Sequence, residues 1–320
     1  MGILLFGFHK DHFLDAQWDA VRRAAPQLDL RATNDKDEIT ALLDEVEVVA
    51  GPFPRDLLAE APKLRWFQQW SAGADWLLRY PDAAAHPFTL TSVSGIHAAP
   101  IGEHIVALML AFARDLPGAM RDQVRRKWRK PSERNVFELA GKTVLLIGVG
   151  AIGARAAELA AALGMRVWGV RRDASKEVAH VERMEAKDKL HDLLPHADFV
   201  VLTAPLTEET RHMVAAAELE VMKDSSILIN IGRGGTVNEA DLVQALGEGQ
   251  IAGAGLDVFE EEPLPETSPL WNMENVIITA HYSGDTPHYD ERALEILVEN
   301  LRRYGAGESL THVVDKTRGY

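Results

Sequence analysis

Three glycines with the spacing of a dinucleotide site are the first candidates for chemistry. Gly148, Gly150 and Gly153 stand in GVGAIG, between the apolar run KTVLLIGV and the alanine-rich segment ARAAELAAALG. The first glycine permits a tight turn, the second lets a pyrophosphate approach the backbone, and the third allows close packing of helix on strand. The following helix offers its N-terminal N–H groups to the phosphate. The pattern predicts a dinucleotide site, and a glycine-rich turn without a ligand is the alternative.

Two adjacent arginines stand where the second strand of such a unit would end. Arg171 follows Gly153 at the distance, about twenty residues, where sites for NAD usually carry an acidic residue that binds the ribose hydroxyls. A guanidinium group would instead bind a 2′-phosphate through paired, charge-assisted hydrogen bonds, and Arg172 is next to it. The sequence therefore favours NADP over NAD as cofactor. An NAD-linked protein in which both arginines face solvent is the alternative.

The elements that must carry these residues alternate along the chain. Apolar or β-rich runs are separated by helical patterns and by turns rich in Pro and Gly; the runs include MGILLFGF, VEVVAG, LRWFQQW and FTLTSVSG. This alternation is typical of βαβ units with mostly parallel sheets, and hence of the α/β class. A long helical pattern begins near Pro100, and the strand signals restart at GKTVLLIG.

Composition limits the classes of function. The 320 residues are 47% hydrophobic and 26% charged, include no cysteine and carry a formal net charge of −14. We expect about two globular domains, with neither disulfides nor sulfur-ligated metals. The charge disfavours nucleic acid and membranes as partners, despite the basic run RDQVRRKWRK around Trp128. The absence of cysteine predicts a cytoplasmic location. The N-terminus lacks signal-peptide features, and IVALMLAFA is too short to cross a bilayer.

Several segments carry a family resemblance over nearly the whole chain. They are LINIGRGGTVNEADLVQAL, GLDVFEEEPLP and ITAHYSGDTPH, with WSAGADWL, SGIHAAPIGEHIVALML and APLTEETRHM. In this order and spacing they resemble the D-isomer-specific 2-hydroxyacid dehydrogenases, which include glyoxylate and hydroxypyruvate reductases. The resemblance implies two doubly wound lobes, a Rossmann dinucleotide-binding domain (99–287) and a flavodoxin-like substrate domain (1–98 plus 288–320). The C-terminal helix and a final LTHVV strand would return to the substrate domain.

The resemblance assigns catalytic roles to three residues. Arg233, in NIGRGG, would bind the carboxylate or carbonyl of a 2-oxo acid, whose planar oxygens suit a bidentate cation. His281 would give a proton to the carbonyl oxygen while hydride moves from nicotinamide, and take it back in the reverse direction. Glu262 would hydrogen-bond this histidine. Acidity alone does not separate it from Glu260 and Glu261, and only the EPLP register selects Glu262.

Further residues are predicted to contact the cofactor and the substrate. Asp257 aligns with a family aspartate near the nicotinamide, although an aspartate at a strand end is often a turn cap. The predicted cofactor-binding residues are Gly148, Gly150, Ala151, Ile152, Gly153, Arg171, Arg172, Ala204, Pro205, Thr210, Ile231, Gly232, Asp257, Ser283 and Gly284. The predicted substrate-binding residues, of which the first three would offer backbone N–H groups, are Ser71, Ala72, Gly73, Arg233 and His281. The aromatic side chains near that loop are predicted to pack in the core rather than to contact the substrate; they are Trp66, Phe67, Trp70 and Trp76.

The predicted activity is that of an oxidoreductase that reduces glyoxylate, hydroxypyruvate or a similar 2-oxo acid to the D-2-hydroxy acid with NADPH. Formate dehydrogenases carry an amide where Glu262 stands, so the carboxylate favours a hydroxyacid enzyme. Tyr282 and Ser283, after the histidine, depart from the usual smaller or β-branched residues and leave the substrate shape open.

No metal is predicted, because no carboxylate cluster completes the spaced histidine pairs His9/His12 and His97/His104. The family resemblance implies a homodimer with the helix after Pro100 in the contact. Two alternatives to the NADPH-dependent reductase remain open. One is an NAD-linked dehydrogenase of the same family, and the other is a dinucleotide-sensing binding protein similar to transcriptional corepressors.

Overall fold

Two compact α/β units account for the chain in the computed structural model, which describes residues 1–132 and 135–317. The first unit comprises Met1–Ile96 together with the chain from Thr286 onward, and the second comprises His97–Asp285. The sequence-based boundaries, after residue 98 and after residue 287, fall two residues later in each case.

The described residues contain the following strands and helices. The strands are β1 (Ile3–Phe6), β2 (Asp29–Ala32), β3 (Val46–Ala50), β4 (Trp66–Gln68), β5 (Thr89–Thr91), β6 (Thr143–Ile147), β7 (Arg166–Val170), β8 (Arg183–Glu185), β9 (Phe199–Leu202), β10 (Ile227–Asn230), β11 (Gly253–Leu256) and β12 (Val276–Ile278). The α-helices are α1 (Asp15–Ala24), α2 (Lys36–Leu42), α3 (Pro81–Ala85), α4 (Ala98–Ala113), α5 (Leu116–Val124), α6 (Ala151–Ala162), α7 (Leu190–Leu193), α8 (Ala216–Val221), α9 (Glu239–Glu248) and α10 (Tyr289–Ala306).

The first unit is built on a five-stranded parallel sheet in the order β2-β1-β3-β4-β5. This 2-1-3-4-5 order is that of flavodoxin-like sheets. Side chains alternate along β1, so that Ile3 and Leu5 enter one core while Leu4 and Phe6 enter the core on the opposite face. Helices α1 and α10 pack on this second face, and both faces of the sheet are therefore covered.

The second unit is built on a seven-stranded parallel sheet in the order β12-β11-β10-β9-β6-β7-β8. Counted from β6 as the first strand, this is the Rossmann order 3-2-1-4-5-6 with one more strand at the edge. Val144 and Leu146 enter one core, and Leu145 and Ile147 enter the other. The strand order reverses between β6 and β9, which is where doubly wound sheets bind nucleotides. The predicted fold class is confirmed.

The prediction that the final LTHVV segment forms a strand is wrong. It makes one isolated antiparallel bridge, between Val313 and Thr91. His312 has a left-handed backbone conformation (φ 56°), which interrupts an extended chain. Thr311 is bound instead to helix α10, because its backbone N–H and hydroxyl both donate to the Asn300 Oδ1. Polar anchoring to α10 therefore replaces a continuous ladder.

Among the helices that the structure describes, none combines the length and apolar character needed to cross a membrane.

Candidate functional site

The glycine turn lies between β6 and α6, as the sequence predicts. Gly148 has a φ of 96°, and a Cβ there would lie 2.7 Å from the backbone nitrogen of Ala204. A Cβ on Gly153 would lie 2.5 Å from the carbonyl oxygen of Gly148. Neither position can hold a larger residue without a backbone shift. At Gly150, by contrast, a Cβ would meet nothing within 4 Å, so the backbone there borders open space.

The N-terminus of α6 fits a bound pyrophosphate. Its N-cap is Gly150, which has no side chain to satisfy the first N–H groups of the helix. Those N–H groups belong to Ala151, Ile152 and Gly153, which the sequence assigned to the cofactor. The alanine-rich helix favours this start because alanine has the highest helix propensity. Uncapped donors beside open space are the surroundings that a diphosphate requires.

The turn after β9 lies against the glycine turn. The Thr203 hydroxyl donates a hydrogen bond to the carbonyl oxygen of Gly148, and Ala204 packs against the same glycine. The Thr210 hydroxyl donates to the carbonyl oxygen of Pro205 at 2.6 Å and so closes this turn. The structure thus brings Ala204 beside the glycine turn and gives Thr210 a local structural contact.

Arg171 and Arg172 follow directly after β7. The backbone N–H of Arg171 donates to the carbonyl oxygen of Glu185 at 3.1 Å. The Arg172 guanidinium pairs with Glu209 at 3.0 Å, and both side chains are more than half exposed. Lys187 donates to the carbonyl oxygen of Glu209. Sequence reasoning missed Glu209, whose only signal was its place in the turn segment APLTEETRHM.

Arg233 follows β10 in a tightly held turn. Its Nη1 donates to the carbonyl oxygen of Gly232 at 2.8 Å. Its own carbonyl oxygen accepts from the Asn230 Nδ2 at 3.1 Å and from the Thr236 hydroxyl at 2.6 Å, and both of these side chains are buried. A Cβ on Gly234 would lie 1.9 Å from the backbone of Phe259. Asn230 and Thr236, which hold the arginine backbone, were missed because their role depends on this turn.

His281 and Glu262 are in direct contact. The His281 Nδ1 lies 2.7 Å from the Glu262 Oε2, and the other carboxylate oxygen accepts from the backbone N–H of Phe259 at 3.0 Å. Glu260 lies elsewhere, since its Oε1 is 2.6 Å from the Nε2 of His212. The structure therefore brings to the histidine the glutamate that the EPLP register selects.

Asp257 holds the turn that carries His281. The buried carboxylate accepts from the Thr279 hydroxyl at 2.6 Å and from the backbone N–H groups of Tyr282 and Ser283 at 3.2 and 3.1 Å. These bonds fix the two residues after His281, which has a left-handed backbone (φ 53°). This is the turn-capping role that the sequence left open, and contact of Asp257 with a cofactor stays a prediction.

His97 and His104, considered from sequence only as metal ligands, lie near this turn. His97 precedes α4 and packs on Gly284, where a Cβ would lie 2.9 Å from the imidazole Cδ2. Burial and, second, the charge of Arg233 lower the pKa of His97. The His104 Nε2 is 3.2 Å from the Thr279 hydroxyl, and burial lowers its pKa. Within residues 1–132 and 135–317, no cluster of three or more His, Asp or Glu side chains is arranged to hold a metal ion.

The loop Ser71–Gly73 belongs to the first unit, whereas Arg233, Glu262 and His281 belong to the second. The loop follows β4 and is half-buried. Of the aromatic residues around it, Trp66, Phe67 and Trp76 are buried in the unit, in agreement with the packing interpretation.

Comparison with known proteins identifies the family. Residues 106–283 match the family model described as D-isomer specific 2-hydroxyacid dehydrogenase, NAD binding domain. The chain belongs to the D-isomer specific 2-hydroxyacid dehydrogenase family. This dehydrogenase is therefore an oxidoreductase whose second unit contains an NAD(P)-binding domain.

Curated relatives and solved structures cover nearly the whole dehydrogenase. A glyoxylate reductase of Korarchaeum cryptofilum is 32% identical over 96% of this chain and 91% of its own length. A D-isomer specific 2-hydroxyacid dehydrogenase from Xanthobacter autotrophicus Py2, in complex with NADPH and MES, is 32% identical with a TM-score of 0.85, over 100% of this chain and 99% of its own. An NADPH-dependent glyoxylate/hydroxypyruvate reductase from Sinorhizobium meliloti, in complex with NADP and sulfate, is 28% identical with a TM-score of 0.84, over 100% of both chains.

Proposed function

We propose that this dehydrogenase reduces small 2-oxo acids, of the size of glyoxylate or hydroxypyruvate, to D-2-hydroxy acids with NADPH. The observation that carries the proposal is the His281–Glu262 pair at 2.7 Å. Glu262 is a carboxylate and not an amide, so it can stabilise a protonated imidazole as well as orient it. Reduction of a carbonyl group needs a general acid for the oxygen, which this pair can supply, whereas oxidation of formate transfers no proton to an oxygen. The glyoxylate reductases among the relatives support the same substrate class.

The reaction divides between the cofactor and side chains of this chain. A nicotinamide, when bound, would supply the hydride for the carbonyl carbon. His281 gives a proton to the carbonyl oxygen from Nε2, because Nδ1 is held by Glu262. The carbonyl thereby gains one hydride and one proton and becomes a hydroxyl group. Arg233 binds the acid, and its backbone is fixed by Asn230 and Thr236.

Replacement of His281 tests the proton-transfer role. We expect His281→Ala to lower kcat by about a hundredfold or more, the usual contribution of a positioned general acid. The dissociation constant of NADPH should change little, because the glycine turn lies on other elements. Rates come from nicotinamide absorbance and affinities from fluorescence titration. A variant that loses NADPH binding and turnover together would contradict this role, since the histidine would then be structural.

We propose that Arg171 and Arg172 give the protein a preference for NADPH over NADH. Their place after β7 and the NADPH and NADP complexes of two similar structures support it. Glu209 opposes it, because its carboxylate pairs with Arg172 and would repel a 2′-phosphate. The remaining predicted cofactor contacts, which stay proposals, are Ala204, Pro205, Thr210, Ile231, Gly232, Asp257, Ser283 and Gly284.

Two variants with opposite signs test this cofactor assignment. Replacement of Arg171 and Arg172 by alanine should weaken NADPH binding about tenfold or more and leave NADH binding nearly unchanged. Glu209→Gln should strengthen NADPH binding severalfold, because it removes the competing charge. The measurement is the dissociation constant of each cofactor. Equal weakening of NADPH and NADH by the double variant would favour the NAD-linked alternative.

A homodimer is proposed through α5. Four apolar residues at every fourth position on and just after this helix are exposed to solvent; they are Leu116 (48%), Met120 (67%), Val124 (85%) and Trp128 (103%). Residues four apart lie on one face of a helix, so Leu116, Met120 and Val124 form an apolar stripe on α5, and Trp128 follows just after the helix ends. Exposed apolar surfaces of this kind usually mark a protein contact. The family resemblance makes a second copy of this chain the proposed partner.

A further inference from the structure

The loop Ser71–Gly73 is held from inside the first unit by a buried amide, and its Ser71 carbonyl also accepts from the Val93 N–H at 3.3 Å. The Gln69 side chain is fully buried, and its Nε2 donates to the carbonyl oxygen of Ser71 at 3.0 Å and to that of Gly73 at 2.9 Å. Its Oε1 accepts from the Trp76 indole N–H at 2.8 Å. Both ends of the amide are therefore satisfied in one orientation only, because carbonyl oxygens require a donor and the indole requires an acceptor.

This arrangement fixes the direction of the peptide planes in the loop. In a trans peptide the C=O and the following N–H point in opposite directions. Since the Ser71 carbonyl faces Gln69, the N–H of Ala72 faces away from it, and the same holds for the Gly73 carbonyl and the N–H of Ala74. Within the residues that the structure describes, neither N–H donates a hydrogen bond. Ala72 is partly exposed, so its N–H is available to an acceptor from outside the loop, whereas Ala74 is buried in the core.

Trp76 is itself held by a cation. The Arg55 guanidinium lies 4.4 Å from the Trp76 ring centroid and 4.7 Å from that of Phe67. Contacts of this type stabilise an aromatic ring against a charged group. The indole N–H is therefore presented to Gln69 by a ring that Arg55 and Phe67 fix in place.

We propose that Gln69 is a positioning residue for substrate binding, which orients the loop so that the Ala72 N–H binds the substrate carboxylate, with Trp76 fixing the orientation of Gln69. The inference rests on the proposed function, because it takes a 2-oxo acid as the ligand. Gln69 does not contact the substrate in this account. Its effect is on the affinity for the carboxylate, which the ground state and the transition state share.

Gln69→Glu is the direct test, assayed at pH 8. The side chain keeps its size and can still accept from Trp76, but it has no N–H for the two carbonyl groups. We expect KM for the 2-oxo acid to rise about ten- to a hundredfold, the contribution of a hydrogen bond to a charged group, with kcat nearly unchanged. The rise should be equal for glyoxylate and for longer 2-oxo acids, because all share the carboxylate.

Two tryptophan variants form a matched pair. Trp76→Phe keeps an aromatic ring beside Arg55 and Phe67 but removes the hydrogen bond to Gln69, and KM should rise in the same way by a smaller factor. Trp18→Phe removes an indole hydrogen bond to the Lys10 carbonyl in the same unit, in the core on the other face of the sheet from Trp76. It should leave KM unchanged. NADPH affinity and thermal unfolding show whether each variant is folded.

The outcomes separate this inference from the proposed function. A wild type that turns over 2-oxo acids while folded Q69E retains the wild-type KM would overturn the inference alone. A wild type without turnover would contradict the proposed function and the substrate role of the loop together. Amide hydrogen exchange then decides whether Gln69 holds the loop, since the Val93 N–H, which donates to the Ser71 carbonyl, should exchange faster in Q69E whatever the substrate. An unchanged exchange rate would contradict the claim that Gln69 holds the loop.

Discussion

At the scale of single residues, the two ring nitrogens of His281 have different surroundings. Nδ1 is engaged by Glu262, which is itself anchored by the Phe259 N–H, so the ring has one preferred orientation. A second pair of the same type, His212–Glu260, lies two positions earlier in the acidic run. The chain therefore contains a natural control for the role of the carboxylate.

Glu262→Gln is expected to lower kcat for 2-oxo acid reduction about ten- to a hundredfold, because an amide cannot stabilise the protonated ring. NADPH affinity should not change. Glu260→Gln makes the same chemical change at the neighbouring pair and should leave kcat within about twofold of the wild type. Steady-state rates of both variants provide the comparison. A larger loss of kcat in the Glu260 variant would contradict this assignment, because the carboxylate that supports catalysis would then be Glu260 and not Glu262.

The local spacing of residues in the sequence predicts some of these site residues and not others. The glycine turn and the arginine pair are visible in the sequence because their spacing along one strand–turn–helix unit fixes their place. Asn230, Thr236 and Gln69 act through contacts with turns that only the folded chain forms, and nothing in their local pattern indicates them. Asp257 was found with an uncertain role, since capping a turn and contacting a cofactor call for the same residue at a strand end.

At the scale of elements, Asp198 links the start of β6 to the start of β9. Its carboxylate accepts from the Thr143 N–H at 2.8 Å and from Lys223 at 2.9 Å, with Lys142 at 3.8 Å. Burial raises the pKa of Asp198, but the Thr143 N–H and the two lysines outweigh it and lower the pKa overall. The folded state therefore favours the ionised form.

This shift predicts a pH-dependent stability. A carboxyl group with a lowered folded pKa stabilises the protein above its unfolded pKa and loses that contribution as pH falls through the folded value. Asp198→Asn should therefore lower the free energy of unfolding at pH 7 by roughly 1–2 kcal/mol, a modest value because the carboxylate is partly exposed. The difference should shrink in acid. Denaturant unfolding across pH measures it, with the exposed Asp192→Asn as control. A difference independent of pH would contradict the assignment.

The alternation of strands and helices was predictable, and the chain end was not. Parallel strands buried on both faces, such as β1 and β6, appear in the sequence as short apolar runs between helical patterns. The LTHVV segment also contains apolar and β-branched residues, yet it carries a left-handed residue and polar bonds to α10. Composition alone cannot distinguish a ladder from such anchoring.

At the scale of the whole molecule, the strand order follows from general rules once the βαβ pattern is recognised. The return of the C-terminal segment to the first unit does not follow from these rules. Right-handed crossovers and doubly wound sheets restrict both units to few topologies. The packing of α10 beside α1 in the first unit joins segments at opposite ends of the sequence. Spacing contains no signal for this, and only the family resemblance implied it.

The exposed stripe predicts the oligomeric state. The 35.3 kDa chain should have the molar mass of a dimer in solution. Val124→Glu should shift the equilibrium toward the monomer, because burial of a charge in an apolar contact is costly. Leu78→Glu replaces an exposed apolar residue of the first unit and is the matched control. Size-exclusion chromatography with light scattering measures both. A wild-type monomer, or a Val124 variant that remains dimeric, would contradict the proposed contact.

The central claim is tested most directly by nicotinamide oxidation with purified protein. The measurement compares kcat/KM for NADPH and NADH with glyoxylate, hydroxypyruvate, pyruvate and a branched 2-oxo acid. We expect turnover of at least one of these acids with a preference for NADPH of about tenfold or more. Turnover with NADH at least as efficient would contradict the cofactor assignment. Tight binding of NADPH without turnover of any acid would contradict the reductase and favour a dinucleotide-sensing protein.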